Sequence, residues 1–214
     1  SQKQLATYEA QGLRPSTAEY HGEYMPKGTP VINGYPKTGS TLLRAVNPKY
    51  CTTKHGGKVY LLADYVDGPT ANFNGLVKQY FLDHGEKFIC SGVRSFDGQI
   101  YVRKRGVDKG TCKSMTVKFG GKCRSARPGT SPHGWGKAVD ISDLFHSSPT
   151  KDKKGNVIDS SGFDKAVKKP KYLWLKQNGP KYNWHNPPWA VNVKGTPEAW
   201  HWEPTSTVLK NVKK

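Results

Sequence analysis

Residues 131–141 read Ser-Pro-His-Gly-Trp-Gly-Lys-Ala-Val-Asp-Ile, and this stretch decides how the fold is interpreted. His133 offers an imidazole nitrogen and Asp140 a carboxylate oxygen, and both groups are good ligands for Zn²⁺. They are seven positions apart, so they cannot lie on adjacent turns of one helix. Gly134 and Gly136 instead favour a loop that leads into a strand. By itself the stretch does not establish a metal site.

A second stretch, residues 197–203, reads Pro-Glu-Ala-Trp-His-Trp-Glu. His201 can be a third protein ligand, which leaves the fourth position of a tetrahedral ion open for water or substrate. Glu198 lies three residues earlier. A carboxylate beside the metal can take a proton from an attacking water and return it to the leaving amine. For Trp200 and Trp202, packing in the core is favoured over stacking on a substrate.

A third stretch, residues 91–99, reads Ser-Gly-Val-Arg-Ser-Phe-Asp-Gly-Gln and follows a predicted buried strand. It places Arg94 at the mouth of that strand, where a charge is costly unless it meets an anion. The planar guanidinium suits a carboxylate or a developing oxyanion. An internal ion pair is the structural alternative, and it would be favoured if this stretch stood alone.

The three stretches in this order closely resemble the D-alanyl-D-alanine carboxypeptidase (VanY-type) family of zinc peptidases. The pattern of that family is roughly SGYRS…Q, SxHxxGxAxD and ExWH, against SGVRSFDGQ, SPHGWGKAVD and EAWHWE here. The family also includes D,D-dipeptidases of vancomycin resistance and the L-alanyl-D-glutamate endopeptidases that bacteriophages use as endolysins. The resemblance covers about residues 58–204.

The resemblance implies a role for seven residues. It implies that zinc is bound by His133, Asp140 and His201. It implies that Glu198 is the catalytic base, that Arg94 steadies the substrate or the transition state, and that Gln99 and Ser131 line the site.

Two features depart from the family pattern. Val93 stands where the family usually has Tyr, so an aromatic contact or a hydroxyl is missing there. The basic insertion over 101–128, which contains two cysteines, is also unusual for the family.

Hydrophobic periodicity predicts two helices, and short apolar runs bounded by turn residues predict several strands. The helices are predicted over 71–84, ending at Gly85, and over 163–177. The strands are predicted over 87–92, 99–103, 115–119, 138–141 and 199–202.

These elements predict an α+β fold, with a small mixed or antiparallel sheet and flanking helices. The resemblance implies the fold shared by hedgehog-type and D-Ala-D-Ala-peptidase-type zinc domains. Residues 1–38 lack a sustained period and contain turn signals, so we expect an extended N-terminal arm. Residues 39–214 would then form the zinc peptidase domain.

The four cysteines, at positions 51, 90, 112 and 123, form no C-x-x-C pair, which disfavours a thiolate zinc site. Their even number permits two disulfides in three possible pairings, with buried free thiols as the alternative. Cys112 and Cys123 bracket a Gly-rich stretch that is typical of a short hairpin, so a bridge between them is geometrically reasonable.

The chain has 34 Lys and Arg against 16 Asp and Glu, a formal charge of +18. This charge attracts polyanions, either nucleic acid or the anionic polymers of bacterial cell wall, although scattered lysines also fit a merely solvated surface. No apolar run approaches the ~18–20 residues that cross a bilayer, and the start of the chain lacks the apolar stretch of a secretory signal. We therefore expect a soluble chain.

The expected function is that of a zinc-dependent peptidase acting on the D-amino-acid-containing stem peptides of peptidoglycan. A D-Ala-D-Ala carboxypeptidase and an L-Ala-D-Glu endopeptidase both fit. We expect it outside the cell or in the cell wall, reached by processing, by lysis or on a phage particle, where the arm would contact phage structural proteins. The alternative is a non-catalytic basic module that binds cell wall or nucleic acid, but an unligated Glu198 argues for an enzyme.

Overall fold

The computed structural model describes residues 31–32, 35–36, 43–115, 123–126, 128, 131–147 and 149–205, and its strands are short. In chain order the strands are β1 (Val31–Ile32), β2 (Tyr35–Pro36), β3 (Leu43–Ala45), β4 (Cys51–Thr52), β5 (Tyr60–Leu62), β6 (Phe88–Ser91), β7 (Val139–Ile141), β8 (Thr150–Lys151), β9 (Val157–Asp159), β10 (Trp184–His185) and β11 (His201–Pro204).

The described part also contains six helices and three 3₁₀ turns. The helices are α1 (Ala63–Val66), α2 (Phe73–His84), α3 (Phe96–Asp108), α4 (Ser161–Ala166), α5 (Pro170–Asn178) and α6 (Pro188–Val191). The 3₁₀ turns span Pro132–Trp135, Ser142–Leu144 and Gly179–Tyr182.

The central sheet has five strands in the order β10-β11-β7-β6-β4. All neighbours are antiparallel except β4 and β6, which run parallel. Three two-stranded ladders, β1 with β2, β3 with β5 and β8 with β9, lie outside it. The predicted α+β class, with a small mixed sheet and flanking helices, is confirmed.

The buried core joins the central sheet to the helices. Trp184 of β10 is fully buried and packs on Phe73 of α2, with ring centroids 4.8 Å apart. Tyr80 of α2 packs in the same way on Phe88 of β6, at 4.5 Å. Burial of large apolar side chains is the main favourable contribution to such a fold.

Helix α2 confirms the helix predicted over 71–84, and its ends explain its bounds. Asn72 caps it by accepting a hydrogen bond from the backbone N–H of Gly75 at 2.7 Å. Gly85 ends it in the left-handed conformation, with φ of 71°. Strand β6 follows at once, as predicted.

The strand predicted over 99–103 is wrong, because these residues lie within α3. Ser95 caps this helix by accepting from the N–H of Gly98 at 3.0 Å. Gln99 and Arg103 are both buried, and their i, i+4 spacing places them on one face of a helix. Hydrophobic periodicity counts only apolar residues. It therefore did not detect a helix face whose buried side chains, Gln99 and Arg103, are polar.

The helix predicted over 163–177 is divided in two. Helix α4 ends at Ala166, and α5 begins at Pro170. Proline is tolerated in the first turn of a helix but not in its interior. The strand predicted over 199–202 begins at His201, because the two residues before it form a turn.

Two predictions fall largely on residues outside the described ranges. The strand predicted over 115–119 lies there except for its first residue. Of the arm predicted over 1–38 only β1 and β2 are described, and they pair with each other antiparallel. The domain boundary after residue 38 stays a prediction.

Two disulfides use all four cysteines. The bridge between Cys51 and Cys90 joins β4 to β6 in the buried sheet, and the expected bridge between Cys112 and Cys123 is present. Within the described ranges, no helix is both long enough and apolar enough to span a membrane.

Candidate active site

Strand register brings two of the expected metal ligands together. Strand β11 pairs antiparallel with β7 so that His201 stands directly opposite Asp140. The Nδ1 atom of His201 lies 3.2 Å from Oδ1 of Asp140. Both side chains are buried at the base of a cleft that they help to line.

His133 reaches the same carboxylate from the 3₁₀ turn Pro132–Trp135. Gly136 ends this turn with φ of 65°, and a Cβ there would stand 2.8 Å from the backbone nitrogen of Leu62. Only glycine fits this left-handed, tightly packed position. The Nε2 atom of His133 then lies 3.1 Å from Oδ1 of Asp140.

Hydrogen bonds on the far side of each ring fix which imidazole nitrogen faces Asp140. Nδ1 of His133 donates to the carbonyl oxygen of Gly92 at 2.8 Å, which leaves Nε2 free to bind a metal. Nε2 of His201 donates to Oε1 of Glu203 at 2.8 Å, which leaves Nδ1 free. Partners of this kind orient metal-ligating histidines.

This cluster fits a metal ion with nitrogen and oxygen ligands. One donor atom from each of His133, Asp140 and His201 lies within 4.8 Å of the other two, and all three residues are buried. Two imidazoles and one carboxylate are a donor set that suits Zn²⁺, and three protein ligands leave a fourth position for water or substrate. Sequence reasoning named all three residues, and the structure places them together.

Burial and mutual interactions shift the pKa values of the three residues of the cluster. Burial alone would raise the pKa of Asp140, but charge and hydrogen bonds from His133 and His201 lower it well below its usual range. Burial lowers the pKa of His133. Burial would also lower the pKa of His201, but hydrogen bonds to Asp140 and Glu203 raise it to about 9. Metal binding there would displace a proton.

Arg94 lies beside the cluster and holds the second oxygen of Asp140. Its Nη2 donates to Oδ2 of Asp140 at 3.1 Å, while its Nη1 donates to Oε1 of Gln99 at 2.9 Å. The Arg94 side chain is 25% exposed and lines the cleft. The internal ion pair considered for this residue is therefore present, and part of the guanidinium still faces the cleft.

The two residues expected to line the site lie in different places. Ser131 is buried and lines the cleft. Gln99 is buried behind Arg94, and its amide nitrogen donates to the carbonyl oxygen of Ala126 at 2.8 Å. Its contacts with the protein are those of a residue that orients Arg94.

Glu198 lies in the cleft with a carboxylate to which no described residue donates a hydrogen bond. Burial, with a smaller contribution from the charge of Asp140, raises its pKa to about 8. Asn186 fixes the turn that carries it, because its Nδ2 donates to the carbonyl oxygens of Glu198 (3.0 Å) and His201 (2.7 Å). The arrangement holds the backbone firmly and leaves the carboxylate free.

The cleft has a volume of about 850 Å³, and both polar and apolar side chains line it. Aromatic side chains from three segments, Phe145, Trp189 and Trp200, form part of its wall beside the metal-ligand cluster. The ring centroids of Phe145 and Trp200 lie 5.0 Å apart. Trp200 is nevertheless buried in the core, as predicted, and so is Trp202, which packs on Tyr172.

Sequence reasoning missed the parts played by two residues around the cluster. Glu203 is two residues after His201 on a strand, and this period of two places both on one face, so a signal was present. Asn186 is distant in sequence from the turn that it supports, and no local pattern marks it.

Comparison with known families gives one match over most of the chain. Residues 69–205 match the family described as D-alanyl-D-alanine carboxypeptidase, VanY. A comparison with proteins of curated function gave no match.

The chain is also similar to several solved structures at low sequence identity. One is the LdcB LD-carboxypeptidase, with 18% identity, a TM-score of 0.48 and coverage of 90% of each chain. Another is VanYB in complex with D-Alanine-D-Alanine, with 18% identity, a TM-score of 0.42 and coverage of 75% of this chain and 80% of that one. A third is DacB from Streptococcus pneumoniae D39, with 22% identity, a TM-score of 0.37 and coverage of 75% and 78%.

Proposed function

The chain belongs to the D-alanyl-D-alanine carboxypeptidase (VanY) family, and from this premise we propose that it is a zinc-dependent peptidase of bacterial peptidoglycan. The proposed substrates are stem-peptide bonds that involve D-amino acids. One observation carries the proposal: three buried metal-ligating atoms converge in the same cleft as Glu198, whose carboxylate accepts no hydrogen bond from a described residue.

The proposed metal ligands are Nε2 of His133, Oδ1 of Asp140 and Nδ1 of His201. A zinc ion held by these atoms would polarise the peptide carbonyl and lower the pKa of water in the cleft. Glu203 and the carbonyl of Gly92 keep the two histidines in the required tautomers. Because Arg94 holds Oδ2 of Asp140, Oδ1 is the oxygen left to bind the ion.

Glu198 is the proposed general base. Its carboxylate takes a proton from the water that attacks the peptide carbonyl, and the resulting acid gives that proton to the leaving amine. Burial already favours its protonated form, which suits the second step. A bound cation would favour the ionised form, which suits the first.

Arg94 compensates the negative charge that develops on the carbonyl oxygen. Its guanidinium is positioned by Gln99 and Asp140, so little reorganisation is needed when charge appears. Ser131 lies in the same cleft and offers a hydroxyl to the substrate backbone.

We further propose that the protein works outside the cytoplasm, in the cell wall. Two disulfides among four cysteines support this, because disulfides persist in oxidising surroundings. Export from a cell and release with a phage both bring an enzyme to the wall. The charge of +18 would hold the enzyme on anionic wall polymers without taking part in the chemistry.

The direct test is a digest of purified peptidoglycan by the zinc-loaded protein, with the new termini identified by mass spectrometry. New amino or carboxyl termini at a D-amino-acid bond, absent when a chelator is added, are the expected result. Release of free D-Ala would identify a carboxypeptidase, and a cut within the stem would identify an endopeptidase. Wall binding without new termini would contradict the proposal and favour the basic binding module.

A further inference from the structure

A short segment, residues 123–126, forms one wall of the cleft and is fastened to α3 by a disulfide and by side chains of that helix. The disulfide from Cys112 ties its first residue to the end of that helix. Buried Arg103 and Gln99, both on α3, donate hydrogen bonds to backbone carbonyls of the segment. The position of this wall is therefore fixed relative to the metal-ligand cluster.

Arg124 is the one side chain of this segment that brings a charge to the cleft. Its guanidinium lies over the ring of Trp200, 5.0 Å from the centroid. Its Nη1 donates to the carbonyl oxygen of His146 at 3.2 Å. Arg124 lines the cleft together with Glu198, and each of the two charges influences the other.

The other edge of this guanidinium has no partner among the described residues. Nε and Nη2 of Arg124 are buried, and no described residue accepts a hydrogen bond from either atom. These two N–H groups lie on the same side of the planar group, which is the geometry that binds both oxygens of one carboxylate. Leaving two such donors buried and unsatisfied is costly, and a ligand carboxylate would remove that cost.

The electrostatic surroundings of Arg124 also favour an anionic ligand. Burial lowers the pKa of Arg124, because a guanidinium removed from water loses part of its hydration. Glu198 is too far from it to form a hydrogen bond or an ion pair, so a full anionic partner is lacking within the described chain. The aromatic surface of Trp200 orients the guanidinium without satisfying its donors.

We propose that Arg124 is a carboxylate-binding residue of the cleft, and that it binds a carboxylate of the substrate peptide through Nε and Nη2. The identification of the ligand as a stem peptide rests on the proposed function. Two carboxylates of such a peptide have this chemistry: the free C-terminal carboxylate and the free carboxylate of an internal D-glutamyl residue. Residues 123–126 would thereby recognise the negative charge of the substrate, while the metal-ligand cluster would bind the scissile bond.

The test measures binding rather than turnover. The zinc-loaded Glu198→Gln protein is titrated by calorimetry with three synthetic stem peptides: the unmodified peptide, its C-terminal amide, and the peptide in which the free carboxylate of the internal D-glutamyl residue is converted to its amide. The same titrations are repeated with Arg124→Met added. Arg44→Met, which removes an exposed arginine in a surface ion pair with Asp67, is the matched control for lost charge.

Arg124→Met is expected to weaken binding of the unmodified peptide by about 10- to 100-fold, the effect of a charge-assisted bidentate contact. That penalty should disappear for one of the two modified peptides, and this identifies the carboxylate. Arg124→Lys should recover only part of the affinity, because an ammonium cannot bind both oxygens in the same plane. Arg44→Met should leave all three affinities unchanged.

An equal penalty on all three peptides, accompanied by a lower melting temperature, would show that Arg124 only supports the segment, and would overturn the proposal. So would no penalty at all, or no measurable binding of the unmodified peptide when Arg124 is present. The digest of peptidoglycan fails or succeeds independently, since it uses the enzyme with both Glu198 and Arg124 intact. A working digest with a uniform Arg124→Met penalty would therefore sink this inference alone.

Discussion

The metal-ligand cluster and the wall segment of the cleft, residues 123–126, are built in different ways. Asp140 and His201 are opposite each other in paired strands, and His133 sits on a turn held by a neighbouring backbone. The wall segment is fixed instead by a disulfide and by side chains of α3. Backbone pairing determines the geometry of the metal-ligand cluster, and long-range side-chain contacts determine the position of the wall segment. Damage to the two should therefore have different effects.

Loss of a metal ligand should have the largest effect. In His201→Ala we expect zinc to be lost and turnover to fall by about 10³-fold or more, because several kcal/mol of transition-state stabilisation disappear. Metal analysis and peptide hydrolysis measure the two consequences. His55→Ala, at an exposed turn, is the control and should retain both. If His201→Ala kept one zinc per chain, the assignment of the ligands would be wrong.

Removal of the metal should make the stability of the protein depend on the ionisation of the buried carboxyl group of Glu198. Burial raises the pKa of Glu198 from 4.5 to about 8, so the folded state binds its proton more tightly than the unfolded state. The stability from this group is fully present below about pH 4.5 and is lost as pH rises through about 8. The metal-free protein should lose a few kcal/mol of unfolding free energy over this window.

Urea denaturation of chelator-treated protein at pH 5 and pH 8, compared with metal-free Glu198→Gln, measures this decline. The variant cannot ionise there, so its decline should be smaller. The raised pKa of His201 acts with the same sign in both proteins and cancels in the comparison. Equal declines would show that Glu198 is not the buried acid that titrates.

Loss of support for a ligand should have a smaller effect than loss of the ligand itself. Glu203→Gln keeps the size of the side chain but weakens the charged hydrogen bond to Nε2 of His201. We expect zinc affinity to fall about 10- to 100-fold, as for other partners of metal-binding histidines. Competition with a chromophoric chelator gives the affinity. An unchanged value would mean that Glu203 does not orient His201.

Release of the wall segment should have the smallest effect on the metal. In Cys112→Ser/Cys123→Ser we expect zinc affinity and kcat to stay within roughly twofold, while KM rises roughly fivefold because Arg124 is less well positioned. Steady-state kinetics on a stem peptide provides both constants. Lost zinc in this double variant would show that the two regions are coupled.

The same difference explains what the sequence could predict. His133, Asp140, Glu198 and His201 lie in short motifs that together resemble those of a known family, and the structure brings all four to one cleft. Helix α2 was equally readable, because its apolar period and its caps agree. The bounds of the peptidase domain depend on residues outside the described ranges and stay a prediction.

The remaining parts depend on contacts that no local pattern contains. The face of α3 toward the cleft carries Gln99 and Arg103, whose polar side chains conceal a buried helix surface. Arg124 is positioned by the disulfide of its neighbour Cys123, by its hydrogen bond to His146 and by the ring of Trp200. Asn186 supports Glu198 from a separate strand connection. Each of these residues has a role that arises only in the folded chain.

The most direct test of the central claim is Glu198→Gln in the zinc-loaded protein. The amide preserves the shape of the side chain but cannot accept a proton from water. We expect one zinc per chain and an unchanged melting temperature, with hydrolysis of a stem peptide slowed by about 10²- to 10⁴-fold. Near-native hydrolysis by a variant that still binds zinc would contradict the account, and Glu203 would then be the next carboxylate to test as the base.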